Sequence, residues 1–318
     1  MEILRVKISA LAALVAPLAL AAVYPLLPEY QRALMSRVLI LSIYSYGYAV
    51  CFQMIGLMSL GHAALFASGM YGAGLYAFYA SPDPLAALLV GVAASTLLSI
   101  LFGLVSTRVG GSYFMIGTLL ASQALYLAAL HFNEVTGGEQ GLVLEKEATI
   151  VGALGPLLSE LDARYFTSLA ALTIVIVCVT ILSHSRLGRL FHALRDDEGK
   201  LEALGYNTSA LKLVAFTISG ALSGASGALQ ALLYGYIGAG YAGILNSVEP
   251  VLWVLVGGPY IQVGPLLGCL AVNLLSDLAR GLLRGHVLTV GAGLVAFAFA
   301  TGRLRWAYRL LGVSRGRG

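Results

Sequence analysis

Residues 183–212 read SHSRLGRLFHALRDDEGKLEALGYNTSALK and lie between two long apolar runs, Phe166–Leu182 and Leu211–Leu233. The stretch concentrates charge, with Arg186, Arg189, Arg195, Asp196, Asp197, Glu198, Lys200, Glu202 and Lys212. Elsewhere the chain avoids it: of 318 residues, 59% are hydrophobic and 11% charged, and the mean hydropathy is +0.87. Soluble domains carry about 25% charged residues, so the composition defines an all-α integral membrane protein whose apolar runs are long enough for bilayer-spanning helices. The short alternating strands of a membrane β-barrel are not its pattern. A loop this charged and too short to be a domain reads as a docking element for a soluble partner.

The runs number about ten (8–10): Val6–Leu27, Leu34–Gln53, Leu60–Tyr79, Leu85–Val105, Tyr113–Phe132, Phe166–Leu182, Leu211–Leu233, Ala242–Val256, Leu266–Leu282 and Val287–Gly302. They read as one polytopic transmembrane domain, 1–318. Arg5 and Lys7 set the N-terminus in the cytoplasm by the positive-inside rule. The first run lacks a clean cleavage site before Pro25 and Pro28 and reads as a retained helix. Threading outward and back makes the acidic 133–165 connection external and the 184–211 loop cytoplasmic. Arg303, Arg305, Arg309, Arg315 and Arg317 place the tail inside too. Arg32 and Arg37, and Arg280 and Arg284, fit this threading poorly. The Gly257-Gly258-Pro259 to Gly264-Pro265 segment reads as a cytoplasmic turn.

Within the charged loop, Leu187, Leu190, Phe191, Leu194, Leu201 and Leu204 form a helical stripe. Asp196 and Asp197 suit a helix start, Gly205 an αL stop, and Thr208 or Ser209 a cap for the next spanning helix. The expectation is a short surface helix, Asp197–Leu204. It is either a solvated interfacial helix or a coupling helix that enters a groove on a partner.

Glycines crowd two stretches, Gly56–Gly74 and Gly220–Gly227. They serve close helix packing in lipid, or helices that move to form a pathway. Gln53, Ser59, His62, Gln123 and Glu249 are polar residues in apolar surroundings and are candidates for the pathway, since intramembrane polar groups are costly. His62 reads equally as a satisfied structural histidine and Glu249 as an interfacial acid. The three cysteines stand alone in apolar runs, with no metal or redox spacing. No basic stripe points to nucleic acid, and no phosphate-loop motif points to ATP hydrolysis on this chain.

The string GRLFHALRDDEGKLEALGYNTSALKLVAFTISGALSGASGALQA (188–231) resembles branched-chain amino acid ABC transporter permeases of the LivM type. The resemblance recurs in MSLGHAALFASGMYGAG (58–74), GSYFMIGTLLASQALY (111–126), TGGEQGL (136–142) and VEPVLWVLVGGPYIQVGPLLGCL (248–270). It implies a permease half in the prokaryotic inner membrane. It implies as partners a second, LivH-like permease, two cytoplasmic ATPase subunits and an extracytoplasmic solute-binding protein. ATP and Mg²⁺ would be held by the ATPases, with no cofactor bound by this chain. It further implies ATPase coupling at Arg195, Glu198, Glu202, Ala203 and Gly205. It makes Thr136, Gly137, Gly138 and Gly141 an external glycine-rich loop facing the binding protein. Tyr260-Ile261 departs from the Gly-Thr or Gly-Ser that the family usually carries inside the Gly-Gly…Gly-Pro turn.

Two other functions compete. An ion-coupled secondary transporter of a small solute also lacks a phosphate loop, yet it usually shows intramembrane acids, of which this chain has few. Gly224-Ala225-Ser226-Gly227 is a GxSG string, as in rhomboid-like intramembrane serine proteases, with His286 as the only later histidine; a nucleophilic serine needs a histidine within hydrogen-bond reach.

Overall fold

The structure, a computed structural model, describes residues 15–106, 111–145, 149–154 and 158–282. It forms two units, one ending at Cys269 and one beginning at Leu270. The tenth apolar run, the arginine-rich tail, Arg284, His286 and the first residues of the N-terminal run lie outside the described residues.

The order is α1 (Val15–Leu26), α2 (Glu29–Ala49, continued by a π turn, Val50–Met54), α3 (His62–Tyr79), α4 (Pro84–Ser106), α5 (Ser112–His131), α6 (Asn133–Thr136), β1 (Leu142–Val143), α7 (Ile150–Leu154), α8 (Glu160–His184), α9 (Arg186–Asp196), α10 (Glu198–Ala203), α11 (Thr208–Tyr234), β2 (Tyr236–Ile237), a 3₁₀ turn (Ala239–Ala242), α12 (Ile244–Gly257) and α13 (Gly264–Leu282). Among the described residues, five helices are long and apolar enough to cross a membrane: Glu29–Met54, Pro84–Ser106, Ser112–His131, Glu160–His184 and Thr208–Tyr234. The fold is that of an all-α membrane protein. Its strands are a two-residue antiparallel ribbon, Leu142 opposite Ile237 and Val143 opposite Tyr236.

Small residues decide the packing. On α4, Ala87, Gly91, Ser95, Ser99 and Gly103 recur every fourth residue and are buried, whereas Leu89, Leu97, Leu101 and Val105 are exposed. This narrow strip faces α11. A Cβ on Gly220 would strike Ser99, one on Gly224 would strike Ser95, and one on Gly227 would fall on the Phe66 carbonyl oxygen of α3. Glycine therefore brings the α3, α4 and α11 backbones into contact, the source of helix attraction in lipid. Serines add cross-helix hydrogen bonds to carbonyls. Ser95 Oγ donates to Gly220 O (2.7 Å), Ser226 Oγ to Ile40 O (2.6 Å) and Ser219 Oγ to Gly47 O (2.6 Å).

Two apolar runs are interrupted. The third enters as irregular backbone, 56–61, before α3 begins at His62. The eighth descends through the 3₁₀ turn before α12, which has only 14 residues, roughly 21 Å of helix. Non-helical backbone of this kind is tolerated inside a bilayer only when protein or a cavity surrounds it.

The poor fit of Arg32 resolves locally. Its Nε donates to the Leu27 carbonyl (2.8 Å), and its guanidinium lies 4.7 Å from the Tyr24 ring centroid. Both partners sit at the break between α1 and α2, an end of the bundle.

Candidate functional site

The charged loop folds as two helices: α10, capped by Asp197 and Leu204, falls where the sequence places a short surface helix, and α9 precedes it. Ser185 caps α9, its Oγ accepting from Gly188 N (3.1 Å), and Asp197 caps α10, accepting from Lys200 N (3.0 Å). Asp197 interrupts the helix because its own φ of −161° and ψ of 98° are extended. Gly205 supplies the αL stop at φ 87°. Asn207, not Thr208 or Ser209, caps α11, through Oδ1 to Ala210 N (3.0 Å). The stripe divides accordingly. Phe191, Leu194 and Leu201 are buried, whereas Leu187 is exposed and Leu204 is 75% exposed at the tip beside Tyr206.

The charged candidates in this hairpin turn inward to their own chain. Arg195 Nη1 donates to the Gln53 carbonyl at the π turn, and its Cγ lies beneath Gly56. Glu198 pairs with Lys212 Nζ at 2.5 Å, and Glu202 Oε1 accepts from Thr208 Oγ1 at 2.7 Å. The hairpin is thereby tied to the end of α2 and to the first two turns of α11. Ala203 and Gly205 are exposed. On the solvent side, Lys200 sits 2.9 Å from Asp197; the hydrogen bond and the ammonium charge hold that carboxyl below its usual range and raise the lysine. Burial, then the neighbouring Arg195, lowers His192.

Two of the five pathway candidates, Ser59 and His62, lie where the two interrupted segments meet. Ser219 Oγ donates to Gly47 O and lies 2.7 Å from His62 Nε2. Nδ1 of His62 is buried with no hydrogen-bond partner among the described residues, and so is the hydroxyl of Tyr48, whose ring stands edge-on to His62, centroids 5.0 Å apart. The N-terminus of α3 is capped by hydroxyls from three elements. Leu60 N donates to Thr118 Oγ1 (3.2 Å), Gly61 N to Ser59 Oγ (3.2 Å) and Ala63 N to Ser247 Oγ (3.1 Å) of α12. Tyr44 Oη donates to Asn246 O (3.0 Å) at the same level.

Ser59 and His62 thus belong to this junction. Gln53 does not: its Nε2 donates to Gly258 O (2.7 Å), about nine ångströms of helix beyond Gly47. That bond, with Tyr46 Oη to Gln262 O (2.7 Å), sets the Gly257–Pro265 turn at the same end as Arg195. Gln123 is half-buried on α5, next to Ser122, which donates to Ala242 O (3.2 Å). Glu249 is exposed on α12. Ser219, Ser247 and Thr118 went unread in the sequence, the first because it lies in a run of small residues where any serine looks alike.

Thr136 Oγ1 bonds the Phe132 carbonyl (2.9 Å), and Gly137, Gly138 and Gly141 follow at φ 73°, 54° and 72°. Their loop meets the ribbon at the C-terminal end of α11, while the hairpin lies at its N-terminal end. The 27 residues between them make roughly 40 Å of helix. The hydroxyl of Ser226 is directed at Ile40 O inside the α2–α11 contact, which leaves the GxSG string no exposed nucleophile.

A membrane-embedded helical chain with interrupted segments and a charged hairpin at one end has the make-up of a transport protein. The family described as "Branched-chain amino acid transport system / permease component" matches residues 32–312, and the chain belongs to it. It is 26% identical over 269 residues to the protein named high-affinity branched-chain amino acid transport system permease protein LivM of Salmonella typhimurium, covering 78% of this chain and 63% of that protein. It is 26% identical over 308 residues to the protein of the same name from Escherichia coli, covering 89% of this chain and 71% of that one. The chain therefore spans somewhat under two thirds of the Salmonella relative. No solved structure matches it.

Proposed function

We propose that this chain is the membrane-spanning permease subunit of an ATP-driven importer that moves branched-chain amino acids by alternating access. On this reading it sits in the inner membrane of a prokaryotic cell, in contact with lipid, as a single permease domain with about ten crossings and both termini cytoplasmic. It pairs with a second, LivH-like permease, two cytoplasmic ATPases and an extracytoplasmic solute-binding protein. It binds no cofactor itself and performs no covalent chemistry, ATP and Mg²⁺ being held by the ATPases.

The observation that carries the reading is the hairpin's double attachment. Arg195 fastens α9 to the end of α2, and Glu198 and Glu202 fasten α10 to the start of α11. A push on the exposed tip at Leu204 and Tyr206 is delivered to two long helices at once, and both line the His62–Ser219 junction. Arg195, Glu198 and Glu202 act here as transmission, and the ATPase contact falls on Ala203, Leu204, Gly205 and Tyr206. The glycine-rich loop at Thr136–Gly141 is at the far end, where a binding protein would sit. The His62–Ser219–Ser247 junction forms part of the solute path, since two interrupted segments meeting in mid-bundle is the arrangement transporters use.

The test is co-purification from native membranes with a Leu204→Arg/Tyr206→Glu variant, both positions being exposed. A phosphate-loop ATPase recovered with wild type and lost from the variant supports the reading. Recovery of the wild-type chain alone in mild detergent overturns it.

A further inference from the structure

At the end of the bundle opposite the hairpin lies a cavity of about 170 Å³ lined by Val143, Leu144, Val151, Glu160, Arg164 and Tyr234, among others. A cation and an anion stand side by side there, beside the aliphatic Val143, Leu144, Val151 and Leu233. We propose that it is a subsite for an α-amino acid with an apolar side chain, the carboxylate on Arg164 and the ammonium on Glu160. The inference rests on the transport reading and names where this chain holds the solute at the mouth of the path.

The argument begins with Arg164. Its guanidinium carbon is 5.1 Å from the centroid of the Tyr234 ring, and that tyrosine is anchored in turn to Ser36 Oγ on α2 at 3.1 Å. The cation is thus fixed on a rigid aromatic face. Its Nε is buried and has no hydrogen-bond partner among the described residues. A planar donor with an unused N–H is suited to a carboxylate, which takes two parallel N–H bonds. The neighbouring Glu160 approaches only to 3.8 Å, at 54% side-chain exposure. A pair that loose and exposed holds together weakly, so a zwitterion that offers each partner its opposite can part it.

Much of the remaining wall is aliphatic. Val143 and Leu144 come from the ribbon strand and the residue after it, Val151 from α7, and Leu233 from the last turn of α11, with Thr149 and Gly235 completing the lining. The four aliphatic residues offer an apolar face to a branched side chain. The ribbon also makes the cavity responsive, because Leu144 N donates to Gly235 O (2.8 Å) and β1 is the continuation of the Gly137–Gly141 loop. Whatever displaces that loop moves one wall of the cavity.

The test uses the intact complex in membrane vesicles, irradiated with L-photo-leucine and mapped by peptide mass spectrometry. The expected result is adducts on segments 142–154, 160–166 or 233–235. A roughly 100-fold excess of L-leucine over the probe should suppress them at least 10-fold, whereas the same excess of L-leucinamide, which lacks the carboxylate, or of 4-methylpentanoate, which lacks the ammonium, should not. Arg164→Met should lose the labelling and Arg164→Lys retain part of it. Because Arg164→Met loses its stacking on Tyr234, Val151→Trp serves as a second variant that fills the space and leaves the ion pair, and it should lose the labelling too. Adducts confined to other segments, or equal suppression by all three competitors, overturn the subsite. Leucine uptake by the same wild-type vesicles is read in parallel: uptake without labelling here removes the subsite alone, and absence of uptake removes the transport reading.

Discussion

Lys212, buried on the second turn of α11, is paired with Glu198 of α10 at 2.5 Å. Removing one partner of a buried pair leaves the other charge uncompensated. The pair makes the start of a long core helix dependent on a six-residue helix outside the bundle. Breaking a fully buried pair costs about 3–5 kcal/mol. Glu198 is 42% exposed, so Glu198→Gln should cost less, about 1–2 kcal/mol. Lys212→Met, which leaves an acid that water can reach, should cost less still. Denaturant titration of the purified protein measures both, and equal losses would contradict the asymmetry.

Gly227 and Gly205 separate two uses of glycine. A Cβ at Gly227 meets the Phe66 carbonyl, which cannot swing away. Gly227→Ala should cost about 1–3 kcal/mol of overpacking and lower the thermal midpoint. At Gly205 nothing lies within 4 Å, and φ is 87°. There the cost is conformational alone: Gly205→Ala should lose about 1 kcal/mol, and Gly205→Asn, which tolerates αL, should recover much of it.

Ser219 is predicted to matter through two partners at once. Ser219→Ala removes the hydroxyl that Gly47 O and His62 Nε2 share, at about 1–3 kcal/mol where no water replaces it. Ser219→Thr keeps the hydroxyl and should keep most of the stability. Solute uptake in vesicles should fall at least 10-fold in His62→Phe while assembly, read by co-purification, is retained; unchanged uptake would make His62 purely structural.

The hairpin should loosen in acid. Burial and Arg195 lower His192 in the folded chain, with His184 acting the same way and Asp196 opposing. The unfolded hairpin then binds more protons than the folded one as pH falls through the ordinary histidine range, so stability rises with pH across that window and is lost below it. Asp197, also lowered, adds stability that persists to lower pH. Tryptic cleavage at Arg195 and Lys200 should quicken between about pH 7 and pH 5.5, and His192→Gln should flatten the profile.

The apolar runs were legible because bilayer thickness fixes a helix length and forbids charge, constraints that act on each segment separately. The same locality made Asp197 readable as a cap and Gly205 as a stop, both being properties of a few consecutive residues. The charged loop declared its chemistry in one dimension, and so did the glycine-crowded stretches. What those charges touch did not follow. Glu198 and Glu202 look like outward-facing acids until α11 is folded back beside them, 14 residues from Glu198 to Lys212 in one case and 6 from Glu202 to Thr208 in the other. The breaks before α3 and α12 are visible only as glycines; that their ends meet, through Ala63 and Ser247, depends on contacts across 184 residues. Ser219 and Ser226 are chemically identical in the sequence, and only the position of α2 directs one to a carbonyl beside His62 and the other to a carbonyl in a closed helix contact. The sequence by itself determined the solvent each segment lives in and the local geometry of its ends. Tertiary structure alone decided which polar groups were brought together, because a hydrogen bond or ion pair needs two partners within about 3 Å, and separation along the chain does not set separation in space.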